Sequence, residues 1–134
     1  DKKEGLIPMK KVISASVTPL LEDGSLDRQG LCRILERNIR HGIDGVFLFG
    51  SMGEWGSFDA GFKRDAIALA ADCVRGRMEV LAGVNATSVG LTLRQMDELR
   101  GIPFDAYVYM LPCKTSSLDP VRSILRVLVS FAAP

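Results

Sequence analysis

The 134-residue sequence predicts an α/β fold in which four strand–helix units build a parallel sheet. Short apolar runs of strand length alternate with longer stretches whose apolar residues recur every three or four positions, as on one face of a helix. Turn and capping residues separate these stretches. An open doubly wound sheet and part of a (β/α)8 barrel both fit the alternation, and the pattern alone favours the barrel slightly. No GxGxxG motif follows the first strand, which disfavours a dinucleotide-binding open sheet.

The predicted strands are short apolar runs that end at turn-forming residues. Strand one ends at Thr18-Pro19 and strand four at Pro112. The four runs are Val12–Val17, Gly45–Phe49, Val80–Val84 and Ala106–Leu111.

Each predicted helix follows a capping residue, and a glycine ends each of the first three. The candidate caps are Asp27 for helix one, Ser57 or Asp59 for helix two, Thr87 or Ser88 for helix three, and Asp119, followed by Pro120, for helix four. The apolar positions expected to face inward are Leu31, Ile34, Leu35 and Ile39, then Phe62, Ala66, Leu69, Ala70 and Cys73, then Leu93, Met96 and Leu99, and finally Val121, Ile124, Leu125, Leu128 and Phe131.

Composition and charge narrow the class of protein. Hydrophobic residues make up 47% and charged residues 25%, as in a folded globular domain. A net charge of +1 gives no electrostatic reason to expect a nucleic-acid or membrane partner. Cys32, Cys73 and Cys113 form no CxxC pair, so we expect a reduced, cytoplasmic chain in which they act as small apolar residues. His41 is the only histidine, and no metal site is expected.

The most informative segment is Asp44–Trp55. Its apolar run, Val46–Phe49, changes abruptly into Gly50-Ser51-Met52-Gly53-Glu54. This pattern is typical of a buried parallel strand followed by a tight loop at its carboxyl end. Glycines allow the backbone to turn sharply and expose its N–H groups, and the serine adds a hydroxyl. Such a loop can hold a small anion such as a carboxylate.

Four motifs in this chain resemble the dihydrodipicolinate synthase / N-acetylneuraminate lyase family. The loop Gly50–Glu54 matches the family's Gly-Ser/Thr-x-Gly-Glu signature after the second strand. Val17-Thr18-Pro19 resembles the family's opening, and His41–Gly45 resembles the lead into its second strand. Ala82–Ser88 is similar to the end of its third strand. The four occur in the family's order and at its spacing, from about Val12 to Pro112.

The resemblance implies that residues 1–134 form one partial domain, the N-terminal half of a (β/α)8 barrel. It implies a Schiff-base aldolase or lyase that acts on pyruvate or a related 2-oxo acid, forms a homo-oligomer and needs no cofactor. Ser51 and the N–H groups of Met52 and Gly53 would bind the substrate carboxylate, and Thr18 would line the pocket floor near the reacting carbon.

The family's two catalytic residues are not expected in this chain. The resemblance places the Schiff-base lysine on strand six and the proton-transferring tyrosine on strand five. Both strands would lie beyond Pro134, the last residue of the sequence, so neither role is assigned to a residue here.

Two departures from the family pattern bear on substrate and assembly. Many members carry a second hydroxyl where this chain has Met52. The loss of that hydroxyl favours an aldol reaction other than the lysine-biosynthetic one. The loop after strand four often contains two tyrosines, and here it reads Pro112-Cys113-Lys114.

Among the lysines, Lys114 alone is expected beyond the carboxyl end of a strand, where barrel active sites lie. A solvated loop residue is the favoured interpretation, and a nucleophile with a lowered pKa is the alternative. Lys63 is expected in solvent on helix two. The remaining lysines, expected near the start of strand one, are Lys2, Lys3, Lys10 and Lys11.

Four further residues have expected structural roles. Tyr107 and Tyr109 are two apart and should pack on one face of strand four. Glu54 is expected to fasten the glycine loop, and Asn85 to form hydrogen bonds at the mouth of the barrel.

Four βα units leave two open sheet edges and an unfilled face, so we expect a fragment of a longer protein or a dimer. The first hypothesis is the N-terminal half of a Schiff-base aldolase. The second is a catalytically inactive half-barrel that serves as a small-anion-binding or subunit-interaction module. An open-sheet protein with an accidental resemblance is a third.

Overall fold

A computed structural model describes residues 10–111 and 118–133. Four strands alternate with four helices in the predicted order. The strands are β1 (Ile13–Ala15), β2 (Gly45–Leu48), β3 (Glu79–Gly83) and β4 (Ala106–Val108); the helices are α1 (Arg28–Arg40), α2 (Ala60–Val74), α3 (Val89–Glu98) and α4 (Leu118–Ala132), with a short 3-10 turn at Trp55–Ser57. No helix in the described ranges is long and apolar enough to cross a membrane.

The strands form one parallel sheet in the order β1-β2-β3-β4. A doubly wound sheet reverses its strand order at a switch point, so this consecutive order excludes that architecture. It confirms the prediction of four successive units of a barrel. All carboxyl ends of the strands meet at one edge of the sheet, and the loops that follow them are neighbours.

The two faces of the sheet differ in burial. Val46, Leu48 and Val80 are buried against the helices, where they form the core together with the inward sides of those helices. On the opposite face, Ile13 is 38% exposed although it belongs to β1. Ala15 and Ala106 on that face are also exposed. A closed barrel fills this kind of face with side chains from all of its strands.

Side-chain caps start the first three helices, as predicted. Asp27 accepts a hydrogen bond from Gly30 N at 2.8 Å, and Asp59 accepts one from Phe62 N at 2.8 Å. Ser88, rather than Thr87, caps α3. The prediction for helix four was wrong by a residue or more, because α4 begins at Leu118 and includes Asp119 and Pro120. The first four N–H groups of a helix have no acceptor within it, so proline anywhere in the first turn leaves the start undetermined.

Two aspartates fasten the amino ends of neighbouring strands. Asp44, which precedes β2, accepts a hydrogen bond from Val12 N at 2.7 Å. Asp105, which precedes β4, accepts one from Val80 N at 2.7 Å. The same arrangement thus occurs in the first and second halves of the sheet, at the end opposite the glycine loop.

A disulfide joins Cys32 on α1 to Cys73 on α2, with their Cα atoms 5.9 Å apart. The expectation of unpaired, reduced cysteines was therefore wrong for these two residues. Their separation of 41 residues gave no sign of the pairing, which arises because α1 and α2 pack side by side on the sheet. Cys113 lies outside the described residues.

The inward faces of two helices differ from the prediction. Lys63, expected in solvent, is only 4% exposed. Its helix, α2, lies between α1 and α3, so its buried stripe is wider than one facing the sheet alone and also includes Ile67 and Val74. On α4, Leu128 is buried as predicted, but Leu125 is 42% exposed.

Candidate functional site

The glycine loop begins with an unusual backbone conformation at the end of β2. Phe49 has φ of 59°, in the left-handed region that bulky side chains rarely adopt. Its ring is 2% exposed and packs edge-on against Phe58 and Phe62, at centroid distances of 6.0 Å and 6.4 Å. Packing of this kind can hold a residue in a strained conformation, and such residues concentrate at functional sites. The turn at Phe49 directs the chain into Gly50–Glu54.

Both loop glycines lie where a side chain would collide with its surroundings. A Cβ atom on Gly53 would lie 2.9 Å from Phe49 N and 3.2 Å from Ser16 O. A Cβ atom on Gly50 would lie 2.6 Å from the ring of Phe47. The loop is therefore folded tightly against the carboxyl ends of β1 and β2, which explains why the pattern has glycine at these two positions.

The loop contains backbone donors that have no protein acceptor in the described ranges. Its turn is closed by Glu54 N donating to Ser51 O at 3.1 Å. Within the described ranges, the N–H groups of Ser51, Met52 and Gly53 donate to no other protein group. Ser51 and Met52 are exposed, and Gly53 is buried. Free N–H groups beside a hydroxyl are suited to bind a carboxylate.

Thr18 and Gly53, two of the residues predicted for the site, are in direct contact. The Thr18 hydroxyl donates to Gly53 O at 2.7 Å, across 35 residues of sequence. This bond fastens the loop to the segment after β1. Ser51 Oγ lies 3.9 Å from the Met110 sulfur, just beyond β4. The structure thus places Thr18, Ser51, Met52 and Gly53 together at the carboxyl edge of the sheet.

The expectations for Glu54 and the tyrosines have mixed outcomes. Glu54 does help to fasten the loop, but through its backbone N–H, and its side chain is exposed. Tyr107 and Tyr109 pack against the core, as predicted, and both line one cavity of about 330 Å³ beneath α4. Tyr107 donates to Met96 O at 3.3 Å, and burial raises the pKa of its phenol.

Two expectations about catalytic residues fall on positions outside the described residues. Lys114, the one lysine expected beyond a strand end, is among them. So is Pro134, beyond which the family's Schiff-base lysine and tyrosine are expected. Both expectations therefore stay predictions, and no catalytic residue is assigned in this chain.

Asn85 forms hydrogen bonds at the strand ends, as expected of a residue at the mouth of the barrel. Its Oδ1 accepts from Met110 N at 2.7 Å, and its Nδ2 donates to Met110 O at 3.2 Å. The side-chain amide therefore acts as a strand partner for Met110, beyond the last backbone pairing of β3 with β4. Sequence reasoning predicted the residue but not its partner.

Lys63 is the functional candidate that sequence reasoning missed. Its Nζ donates to Gln95 Oε1 at 3.2 Å and faces the rings of Phe49 and Trp55 at 6.0 Å and 5.8 Å from their centroids. No carboxylate in the described residues pairs with it. It lines a cavity of about 430 Å³ between α2 and α3, together with Asp59, Arg94 and Glu98. Burial lowers the pKa of its ammonium, and the charge of Asp59 opposes that effect.

The lowered pKa predicts how stability depends on pH. The folded protein releases the Lys63 proton at a lower pH than the unfolded chain, whose lysine titrates near 10.5. Between the two pKa values the unfolded state binds more protons, so the free energy of unfolding gains a contribution that rises with pH. We expect wild type to become more stable relative to Lys63→Met over this window in urea titrations up to pH 10.5. A difference that is constant across that range would contradict the prediction.

No group of three or more metal-ligating side chains is found in the part of the chain that the structure describes.

The fold and the loop together define a class of protein: a parallel βα half-barrel with a tight glycine-rich loop after its second strand. A family model described as the dihydrodipicolinate synthetase family matches residues 8–115, and the chain belongs to this family. The 4-hydroxy-tetrahydrodipicolinate synthase of Protochlamydia amoebophila (strain UWE25) is 28% identical over 104 residues, which cover 78% of this chain and 35% of that protein.

Solved structures give the same fold. The chain matches Proteus mirabilis N-acetylneuraminate lyase with a TM-score of 0.84 at 21% identity, covering 92% of this chain and 43% of the other. It matches YagE, an E. coli K12 prophage protein of the dihydrodipicolinic acid synthase family crystallised with pyruvate, with a TM-score of 0.79 at 25% identity, covering 93% and 41%. The chain is thus the N-terminal half of a (β/α)8 barrel and spans about 35% of the length of that first curated relative.

Proposed function

We propose that this chain supplies the carboxylate-binding half of a Schiff-base aldolase or lyase that acts on pyruvate or a related 2-oxo acid. The observation that carries the proposal is the loop Gly50–Glu54, whose free N–H groups and exposed hydroxyl lie at the carboxyl edge of the sheet. Barrel enzymes place their active sites at this edge. Family membership and the pyruvate complex of YagE support the choice of a 2-oxo acid.

In the proposed reaction a lysine amine attacks the carbonyl carbon of the 2-oxo acid and releases water, which leaves an iminium. The iminium withdraws electrons from the neighbouring carbon and so promotes formation or cleavage of a carbon–carbon bond. The lysine and the proton-transferring tyrosine belong to strands six and five of the family's barrel, and no residue of this chain is assigned to either role.

The task of this chain is to hold the substrate. Ser51 Oγ and the N–H groups of Met52 and Gly53 would donate to the carboxylate, each charge-assisted bond contributing about 1.5–3 kcal/mol. Thr18 donates to the carbonyl of Gly53 and so holds the loop in place, and it would line the floor of the site. A fixed carboxylate places the reacting carbonyl carbon in one position relative to the amine, which lowers the entropic part of the barrier.

Replacing Ser51 with alanine tests this role. The variant loses one charge-assisted donor, so we expect its affinity for pyruvate to fall by about 10- to 100-fold. Calorimetric titration of the natural-length protein with pyruvate measures the change. Ser57→Ala is the matched control, because Ser57 is an exposed serine of the following 3-10 turn. Equal affinities for the two variants would argue against carboxylate binding by this loop.

A second candidate function is subunit interaction by a half-barrel without catalytic activity. The observation that favours it is the exposed apolar surface on the unfilled sheet face and on α4, where Ile13 is 38% and Val129 68% exposed. Light scattering of the natural-length protein distinguishes the two. A chain of this length that forms a stable homo-oligomer and does not bind pyruvate would support the second candidate, whereas a longer pyruvate-binding protein would support the first.

A further inference from the structure

We propose that Lys63 is a positioning residue for the candidate site: it braces the glycine loop through Phe49 and Trp55, and it fixes the end of β4 through Gln95 and Asn85. The substrate whose binding would depend on this positioning is the 2-oxo acid of the proposed function. In this respect the inference rests on that function.

The burial of Lys63 requires an explanation. Lysine is rarely buried without a charged partner, because desolvation of an ammonium is costly. Here the residue is 4% exposed, and its described hydrogen bond goes to the neutral amide of Gln95. An apolar side chain of similar length would fill the same space without that cost, so filling space does not account for a lysine at this position.

Lys63 determines which way the Gln95 amide points. An ammonium can only donate, so the amide oxygen of Gln95 must face it. The amide nitrogen then faces the opposite way, and Gln95 Nε2 donates to Asn85 O at 3.0 Å. Both contacts require the same orientation of the Gln95 amide, since the carbonyl oxygen of Asn85 can only accept a hydrogen bond. The orientation of Gln95 is thus fixed at both ends.

Asn85 carries this constraint to the end of β4. The residue is 7% exposed, and its side chain holds both the N–H and the carbonyl of Met110. Met110 in turn lies beside Ser51, at 3.9 Å between sulfur and Oγ. A continuous series of hydrogen bonds therefore leads from α2 through α3 and the end of β3 to Met110. Met110 is the neighbour of Ser51, the residue proposed to bind the carboxylate.

Lys63 also contacts the loop from its other side. Phe49 directly precedes the loop and Trp55 directly follows it, and the ammonium faces both rings. At such distances the negative face of an aromatic ring attracts a cation. One buried side chain thus interacts with both ends of the loop and, through two amides, with the strand beside it.

Three variants of the natural-length protein test the proposal. Lys63→Met keeps the apolar stem and removes the donor. Gln95→Glu gives Lys63 a charged partner but cannot donate to Asn85 O. This variant therefore distinguishes an effect on global stability from an effect on the position of Asn85 and Met110. Lys11→Met is the control, because it removes an exposed lysine that pairs with Glu79 at the opposite end of the sheet. The readouts are the free energy of unfolding in urea, hydrogen exchange at the Met110 amide, and affinity for pyruvate.

We expect Lys63→Met and Gln95→Glu to accelerate exchange at Met110 and to weaken pyruvate binding by about tenfold. Gln95→Glu should do so without loss of global stability, a combination that a merely structural role would not produce. The proposal is overturned if Lys63→Met matches Lys11→Met in both exchange and affinity, or if Gln95→Glu leaves both unchanged. If Lys63→Met does not fold, Gln95→Glu decides alone. If wild type does not bind pyruvate, the proposed function fails, and Met110 exchange still decides the positioning role.

Discussion

Gly83→Ala is expected to destabilise the protein more than any other substitution considered. Gly83 ends β3, the strand that pairs with both β2 and β4. A Cβ atom there would lie 2.3 Å from Phe49 O and 2.7 Å from Leu48 O. Both are backbone atoms, which cannot rotate away as a flexible side chain could. Either β2 and β3 separate or the left-handed turn at Phe49 changes.

We expect a loss of about 3 kcal/mol or more, at the upper end of what overpacking causes. Urea denaturation measures it. Gly90→Ala is the matched control: Gly90 lies in α3, and its added Cβ would meet nothing within 4 Å. Alanine is the better helix former, so this variant should gain about 0.5–1 kcal/mol. Unfolding free energies for Gly83→Ala and wild type within about 1 kcal/mol of each other would contradict the packing of β3 against Phe49.

Reduction of the Cys32–Cys73 disulfide is expected to have the second largest effect. The bridge closes a loop of 41 residues and joins two helices that lie side by side on the sheet. A crosslink over that distance restricts the unfolded chain, and its loss typically costs about 2–4 kcal/mol. The double variant Cys32→Ser/Cys73→Ser should therefore unfold at lower urea than the oxidised wild type.

A reductant provides the internal check on this prediction. It should lower the unfolding free energy of wild type to near that of the double variant, and it should leave the double variant unchanged. Cys113→Ser controls for the removal of a thiol, since Cys113 is not part of this bridge. A wild type that is insensitive to reductant would contradict the disulfide.

The alternation of strands and helices was predictable because each element carries its own periodicity and its own cap. Asp27 caps α1 as the sequence indicates, and the consecutive strand order follows from the barrel that the family motifs imply. The burial of Lys63 was not predictable, because it depends on α3 packing beside α2. The Cys32–Cys73 pairing likewise depends on the lateral packing of two helices, which the sequence of neither helix specifies.

In the candidate site, too, local features were predictable from the sequence and contacts between distant residues were not. Ser51, Met52 and Gly53 were found because they are consecutive and follow a strand. The contact between Thr18 and Gly53 joins residues 35 apart, and only the family resemblance brought them together in advance. The bonds of Asn85 to Met110 escaped prediction because a side-chain amide takes the place of a backbone strand partner there, and no local pattern marks such a substitution.

Treatment of the natural-length protein with pyruvate and borohydride, followed by intact and peptide mass spectrometry, shows whether a Schiff base forms and on which lysine. Borohydride reduces an iminium and fixes the pyruvyl group to the lysine that formed it. We expect one reduced pyruvyl group per chain, on a lysine beyond Pro134, and no adduct when pyruvate is omitted. A protein that gains no adduct, or one that gains it on a lysine within residues 1–134 such as Lys114, would contradict the proposed division of roles between this half-barrel and the strands that follow it.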